Sequence, residues 1–194
     1  MKEPEKKEDR RVRRTKKLLT QALMQLLQEK QVNEITVKEL TELADMNRGT
    51  FYLYYRDIYD MLEKIEDSLF DGLNEIVSLP QNAAPMEATK PILLDLFRFI
   101  GENQEVCRVL LSANGDMSFL HRLNEVVREK SKAVWESLYA REAGEEEFDY
   151  HYSFVVFGCA GLIRAWLNRN CPEPPEQMAA LADAMIRKGS LSEE

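Results

Sequence analysis

Apolar residues recur at three- and four-residue steps along almost the whole chain, a spacing that a helix satisfies and a strand does not. Over residues 12–27 the positions Leu19, Ala22, Leu23, Leu26 and Leu27 fall on one face. Further on, Ile58, Met61, Leu62, Ile65, Leu69, Leu73 and Ile76 form a continuous stripe, with Asp57 placed to cap it. Helical spacing resumes over 91–100, around 106–111 and over 119–139, and residues 150–167 are apolar on nearly all sides. A last helix is expected to begin near Pro175, because proline suits a first turn, and to end before Gly189. Pro80 and Pro85 bracket the clearest loop, Asn114-Gly115-Asp116 reads as a turn, and 141–147 reads as an acidic connector. The expected fold class is all-α.

Charge is distributed unevenly. The 194 residues carry 26 basic and 34 acidic side chains, a net −8, yet residues 1–17 hold nine basic against four acidic ones, a net +5. A basic end on an acidic body points to a local polyanion contact, with the remainder kept soluble. The longest uncharged apolar stretch, 154–163, is too short to span a bilayer, and the polar opening residues do not read as a secretory leader. Cys107, Cys159 and Cys171 are widely spaced and form no CxxC, so reduced thiols and a cytoplasmic location are expected. His121 and His151 stand in no metal-ligand spacing, and GxSxG, P-loop and GxGxxG motifs are missing. Glu145, Glu146 and Glu147 are adjacent neighbours, not an acid and a base in separate environments. Neither an enzyme nor a metal or cofactor site is expected.

The region between the arm and the long stripe is more specific. Thr36-Val37-Lys38-Glu39 has the form of a capping box, in which the Thr hydroxyl accepts from Glu39 and the Glu39 carboxylate bonds back. The brief helix that it starts would bury Val37, Leu40, Leu43 and Ala44. Asp45-Met46-Asn47 breaks that helix, and Asn47 caps a second one expected over 48–55. Two short helices joined by a three-residue turn, after a longer helix, describe a helix-turn-helix unit. In the second, Phe51 and Tyr55 would face the core with Met46, leaving Arg48, Gly49 and Tyr52 together outside. An arginine there can give two donors to guanine O6 and N7, while Thr50 and tyrosine hydroxyls suit phosphate oxygens. The helix N-terminus would itself favour a phosphate. Arg13, Arg14 and Lys16 of the arm would then lie along the DNA backbone or in the minor groove.

Ile35-Thr36-Val37-Lys38-Glu39-Leu40, followed by Ala44-Asp45-Met46-Asn47-Arg48-Gly49-Thr50-Phe51-Tyr52, resembles the DNA-binding domain of the tetracycline-repressor (TetR) family over residues 10–65. The segments 110–116 with Phe119-Leu120, and 158–163 with Trp166-Leu167, are similar to one C-terminal class of that family. The resemblance implies a three-helix DNA-binding head, residues 1–58, joined by a long fourth helix to a helical ligand-binding and dimerisation body, residues 59–194. It implies phosphate contacts at Thr36, Thr50, Tyr52 and Tyr54, and base contacts at Arg48 and Gly49 with Val37 nearby. Asp45 stands where the family usually has glycine, and Ile58 where it usually has a phosphate-binding lysine; Arg56 is the substitute at hand.

For the body, the resemblance implies a homodimer built on Phe154, Phe157, Gly158, Gly161, Leu162 and Trp166 together with Met178, Leu181 and Met185. Leu69, Phe70, Leu73, Phe97, Cys107, Leu110, Trp135 and Tyr152 would line a pocket for an apolar or aromatic effector. The expected function is a ligand-released repressor on a palindromic double-stranded operator, with no membrane partner. The alternative is a co-regulator that docks the same head on another protein.

Overall fold

The structure, a computed structural model, describes residues 10–77, 85–111, 117–139 and 145–189, with side chains over 10–77, 89–111, 121–132 and 146–187. The order is α1 (Arg10–Leu27), a single 3₁₀ turn (Val32–Glu34), α2 (Val37–Leu43), α3 (Arg48–Tyr52), α4 (Ile58–Ile76), α5 (Pro85–Glu102), α6 (Gln104–Leu110), α7 (Met117–Tyr139), α8 (Glu145–Asn168) and α9 (Pro175–Gly189). Among the described residues every regular element is helical, as the spacing of apolar side chains requires. The expected turn at 114–116 and the loop residues Pro80, Gln81 and Asn82 lie outside the described residues.

The chain divides into two compact units, parting inside α4 between Ser68 and Leu69, whereas the sequence reading placed the boundary at 58/59, where α4 begins. In the first unit Leu19, Leu23 and Met24 of α1 meet Leu40 of α2, Phe51 of α3 and Met61 of α4 in a fully buried core. Asp57 caps α4 as expected, its Oδ1 accepting from the Asp60 N–H at 2.8 Å. The buried face of α2 is rotated from the expected one. Leu43 is 43% exposed, and Thr41 takes the inner place, its hydroxyl donating to the Val37 carbonyl at 2.8 Å. A buried hydroxyl satisfied by its own helix costs little, and it leaves Leu43 on the rim.

In the second unit α5 packs along α9, and Phe97 meets Trp166 edge to face at 5.4 Å between ring centroids. Ile100, Cys107, Leu110, Phe148, Tyr152, Leu167, Met178 and Ala182 are among the residues buried with them. Gly72 permits a close approach, because a Cβ there would come within 2.5 Å of the Phe99 ring. α5 begins at Pro85, six residues before the start at Pro91 that the spacing suggested, so Pro91 lies inside the helix. Its missing N–H removes one bond early in the helix, and the remaining eleven residues carry the helix on. Glu145–Glu147 belong to the first turn of α8 and not to a connector; acids at a helix N-terminus favour the helix dipole.

Candidate nucleic-acid interface

α2 and α3 are each started by a side chain that the sequence made recognisable. The Thr36 hydroxyl oxygen accepts from the Glu39 N–H at 3.2 Å, which leaves its own hydrogen to donate outward. The reciprocal bond expected from Glu39 is replaced by an ion pair with Lys30. Asn47 caps α3, its Oδ1 accepting from the Gly49 N–H at 2.8 Å, and its carbonyl accepts from Thr50. Between α2 and α3, Asp45 adopts φ 52°, the left-handed conformation for which the family's glycine is suited. The turn closes through the Met46 N–H on the Thr41 carbonyl at 2.8 Å.

α3 is five residues long and ends at Tyr52, three residues before the expected end. Tyr54 and Tyr55 sit in the turn beyond it, both N–H groups donating to the Phe51 carbonyl at 3.0 Å. So short a helix has little macrodipole, and what it offers a partner is its side chains. Those are arranged as a recognition element needs. Phe51 is fully buried and Tyr55 nearly so, their rings 5.5 Å apart, while Met46 is half-buried. Arg48 and Gly49 are exposed, Thr50 is half-buried, and Tyr52 is 58% exposed with its ring edge-on to Phe51. The buried phenyl ring thus fixes the helix that carries Arg48 and Tyr52 outside.

The flanking residues extend this surface. Arg13 and Arg14 of α1 are exposed, as is Thr36, and Val37 is half-buried. The Lys16 ammonium lies 5.9 Å from the centre of the Tyr54 ring, which ties α1 to the turn after α3. Ile58 is buried at the start of α4, so the position usual for a phosphate-binding lysine faces the core here. Arg56 is held by Asp60, with its side chain 81% exposed. Asp60 and Lys64 were missed in the sequence; the signal that could have found them is the Arg56-Asp60-Lys64 run at i, i+4 and i+8.

The residues proposed for the body are distributed less simply. Phe154 and Phe157 of α8 are exposed, Gly158 and Gly161 have open space where a Cβ would stand, and Leu181 and Met185 of α9 are exposed. Leu162 is half-buried. Trp166 and Met178, expected at the interface, are instead buried within their own chain, and the Trp166 indole N–H donates to the Glu173 carbonyl at 3.0 Å. Of the pocket set, Leu69, Leu73, Phe97, Cys107, Leu110 and Tyr152 are buried. Phe70 is half-buried under the Arg122 guanidinium, and the Tyr152 hydroxyl donates to Asn124. The side chain of Trp135 lies outside the described residues. An open cleft of about 470 Å³ lies elsewhere in the body, bordered by Arg98, Gly101, Trp166, Cys171 and Pro172 among others, with Arg98 paired to Glu176 at 2.8 Å.

Among the described residues, no group of three or more His, Cys, Asp or Glu could hold a metal, and no helix is long and apolar enough to cross a membrane. Burial pushes the Cys107 thiol up to about 12 and raises Cys159 and Cys171, which disfavours the thiolate. Burial lowers His151, and His121 lies exposed beside Glu125.

Residues 87–188 match a TetR-type family model described as a transcriptional regulator C-terminal region. The chain is 29% identical over 192 residues to YxbF of Bacillus subtilis, an HTH-type transcriptional regulator; the match takes in 91% of this chain and 46% of that protein. The chain therefore spans about half the length of the curated relative it matches. Among solved structures it is similar to DhaS, a dihydroxyacetone kinase operon activator (TM-score 0.56, 19% identity, 90% of this chain and 94% of that one). It is also similar to Thermus thermophilus FadR, a TetR-family repressor solved with lauroyl-CoA (TM-score 0.56, 18% identity, 92% and 96%).

Proposed function

The chain belongs to the TetR family of transcriptional regulators, and we propose that it is a cytoplasmic repressor that binds a palindromic operator as a homodimer and is released by a small apolar ligand. The observation that carries this reading is the anchored recognition element: Phe51 and Tyr55 buried, Arg48, Gly49 and Tyr52 outside, and the basic α1 alongside. Arg48 reads a base edge; Thr36, Thr50, Tyr52, Tyr54 and Arg56 bind phosphates and set register. A palindrome follows from two-fold symmetry, for which Phe154, Phe157, Gly158, Gly161, Leu181 and Met185 supply an apolar, small-residue surface.

The effector acts by population shift. It changes operator affinity only in so far as it prefers one spacing of the two heads over the other. Acyl-CoA of medium chain length is the first probe, since a repressor of similar fold was solved with lauroyl-CoA. Operator binding is tested by fluorescence anisotropy on DNA from around the protein's own gene, at several salt concentrations. Sequence-dependent binding that weakens steeply with salt, and loses its discrimination in Arg48→Ala, supports the reading. Binding that is equally weak on every sequence, including fragments selected genome-wide, sinks it. Promoter-reporter fusions separate repression from activation, a distinction the DhaS likeness makes worth testing. The buried Ile58 favours a second reading, in which the head docks on another protein, and the same null result would turn attention to it.

A further inference from the structure

Beside a surface suited to phosphates, α4 buries an acid. Asp60, the third residue of the helix, is 5% exposed. Its Oδ1 accepts from Arg56 Nε at 2.9 Å and lies 2.9 Å from Arg56 Nη2. Its Oδ2 accepts from the Arg56 backbone N–H at 3.0 Å and from Lys64 Nζ at 2.9 Å. Lys64 Nζ donates in addition to the Tyr54 carbonyl at 3.0 Å and stands 5.4 Å from the centre of the Tyr55 ring. One carboxylate thereby gathers a side chain, a backbone amide and, through Lys64, a carbonyl of the turn that follows α3. Those bonds hold the carboxyl at about 2, the Arg56 N–H first among them and Lys64 next, so it stays charged at neutral pH.

We infer that Asp60 is the positioning residue of the DNA-facing turn, holding the Arg56 guanidinium and the Tyr54 backbone where they meet the DNA backbone. The inference rests on the DNA-binding reading above. Arginine is among the side chains most costly to order, and one already held through its Nε edge has lost that freedom before DNA arrives. Two cations around one acid leave the group a net +1, so the clamp does not turn the surface against phosphate.

Charge and position predict opposite signs, which makes the inference testable in the full-length chain. If Asp60 were only a negative charge near DNA, Asp60→Asn would tighten binding. As a positioning residue, it should weaken binding by about tenfold, equally on the selected operator and on a random-sequence duplex. Arg56→Ala should lower the slope of log affinity against log salt by about one, and adding Asp60→Asn to it should cost no more than about threefold further, the share carried through Lys64 and Tyr54. Melting temperature and helix content are measured for each variant at the assay temperature. Should Asp60→Asn fail to fold, Lys64→Gln carries the test: it leaves the Asp60–Arg56 bonds and removes the Tyr54 tether. Its expected loss is about threefold with the salt slope unchanged. Wild-type or tighter binding by a folded Asp60→Asn, additivity with Arg56→Ala, or wild-type affinity in Lys64→Gln overturns the inference alone. A wild-type chain that binds no selected fragment overturns the DNA-binding reading, and the inference with it.

Discussion

The five-residue α3 and the twenty-four-residue α8 both expose aromatic side chains, on opposite chemical terms. On α3 the exposed ring is Tyr52, beside Arg48 and Gly49, and the phenyl group of Phe51 is wholly inside. On α8 the phenyl rings of Phe154 and Phe157 are exposed next to glycines with open space above them, with Tyr150 exposed at the start of the helix, while Trp166 and Tyr152 are inside with their N–H and O–H satisfied. A surface with hydroxyl and guanidinium groups suits a hydrated polyanion. Bare phenyl rings beside glycine suit a dry contact with another protein surface, where they can be removed from water.

That contrast can be tested most strongly where the body is fullest. Phe97→Ala should destabilise the body by about 3–5 kcal/mol, since a fully buried ring in contact with Trp166 would leave a cavity. Cys107 reports the loss directly. Burial holds its thiol up at about 12, against an ordinary 9.0, which strongly disfavours the reactive thiolate, so alkylation should await unfolding and accelerate in the variant. Unchanged denaturation and alkylation would mean that Phe97 is not a core residue.

A smaller effect is expected at the exposed rings. Phe157→Glu should raise the dimer dissociation constant by about a hundredfold or more, read by sedimentation or light scattering. Gly161→Ala should show two opposing signs: about 1 kcal/mol more stability for the subunit, from helix propensity, and a weaker dimer where helices approach closely. Dimers indifferent to both changes would assign α8 some other role.

In the head the expected effects are local. Thr36→Ala removes a cap and should cost about 1 kcal/mol in chemical denaturation. Asp45→Gly relieves a left-handed residue but frees the unfolded chain, so a gain of at most about 1 kcal/mol is expected. Asp60 sets a pH signature as well. Its folded-state value near 2 lies below the ordinary 3.8, so its stabilisation is complete above 3.8 and is lost as pH falls toward 2. Asp60→Asn should therefore flatten the acid limb of the stability curve in that window.

Much of the fold was legible because helices announce themselves locally. Apolar spacing marked α1, α4 and α7, and Thr36, Asn47 and Asp57 marked three helix starts through bonds spanning two or three residues. Reading failed where a residue had two local options. Thr41 could face water or bond back to Val37, and taking the second displaced Leu43 outward. α3 could have run to Tyr55 by propensity, but the Lys64 bond to the Tyr54 carbonyl belongs to a turn. The residues proposed to face DNA were legible as types in a pattern; the bonds around Asp60 were not, because an acid at i+4 from an arginine reads equally well as an ordinary surface pair.

The sequence by itself determined which segments are helical, the caps at Thr36, Asn47 and Asp57 and the chemical character of the α3 surface, all of which depend on residues within one or two turns of each other. Only the tertiary structure decided which side of an all-round apolar helix is core. Phe157 and Trp166 lie nine residues apart on α8, two and a half turns and so on opposite faces of a helix that is apolar all round; the Trp166 face is the buried one because Phe97, sixty-nine positions earlier, arrives to cover it. Burial is decided by which distant segment supplies the neighbour, and no local spacing encodes that.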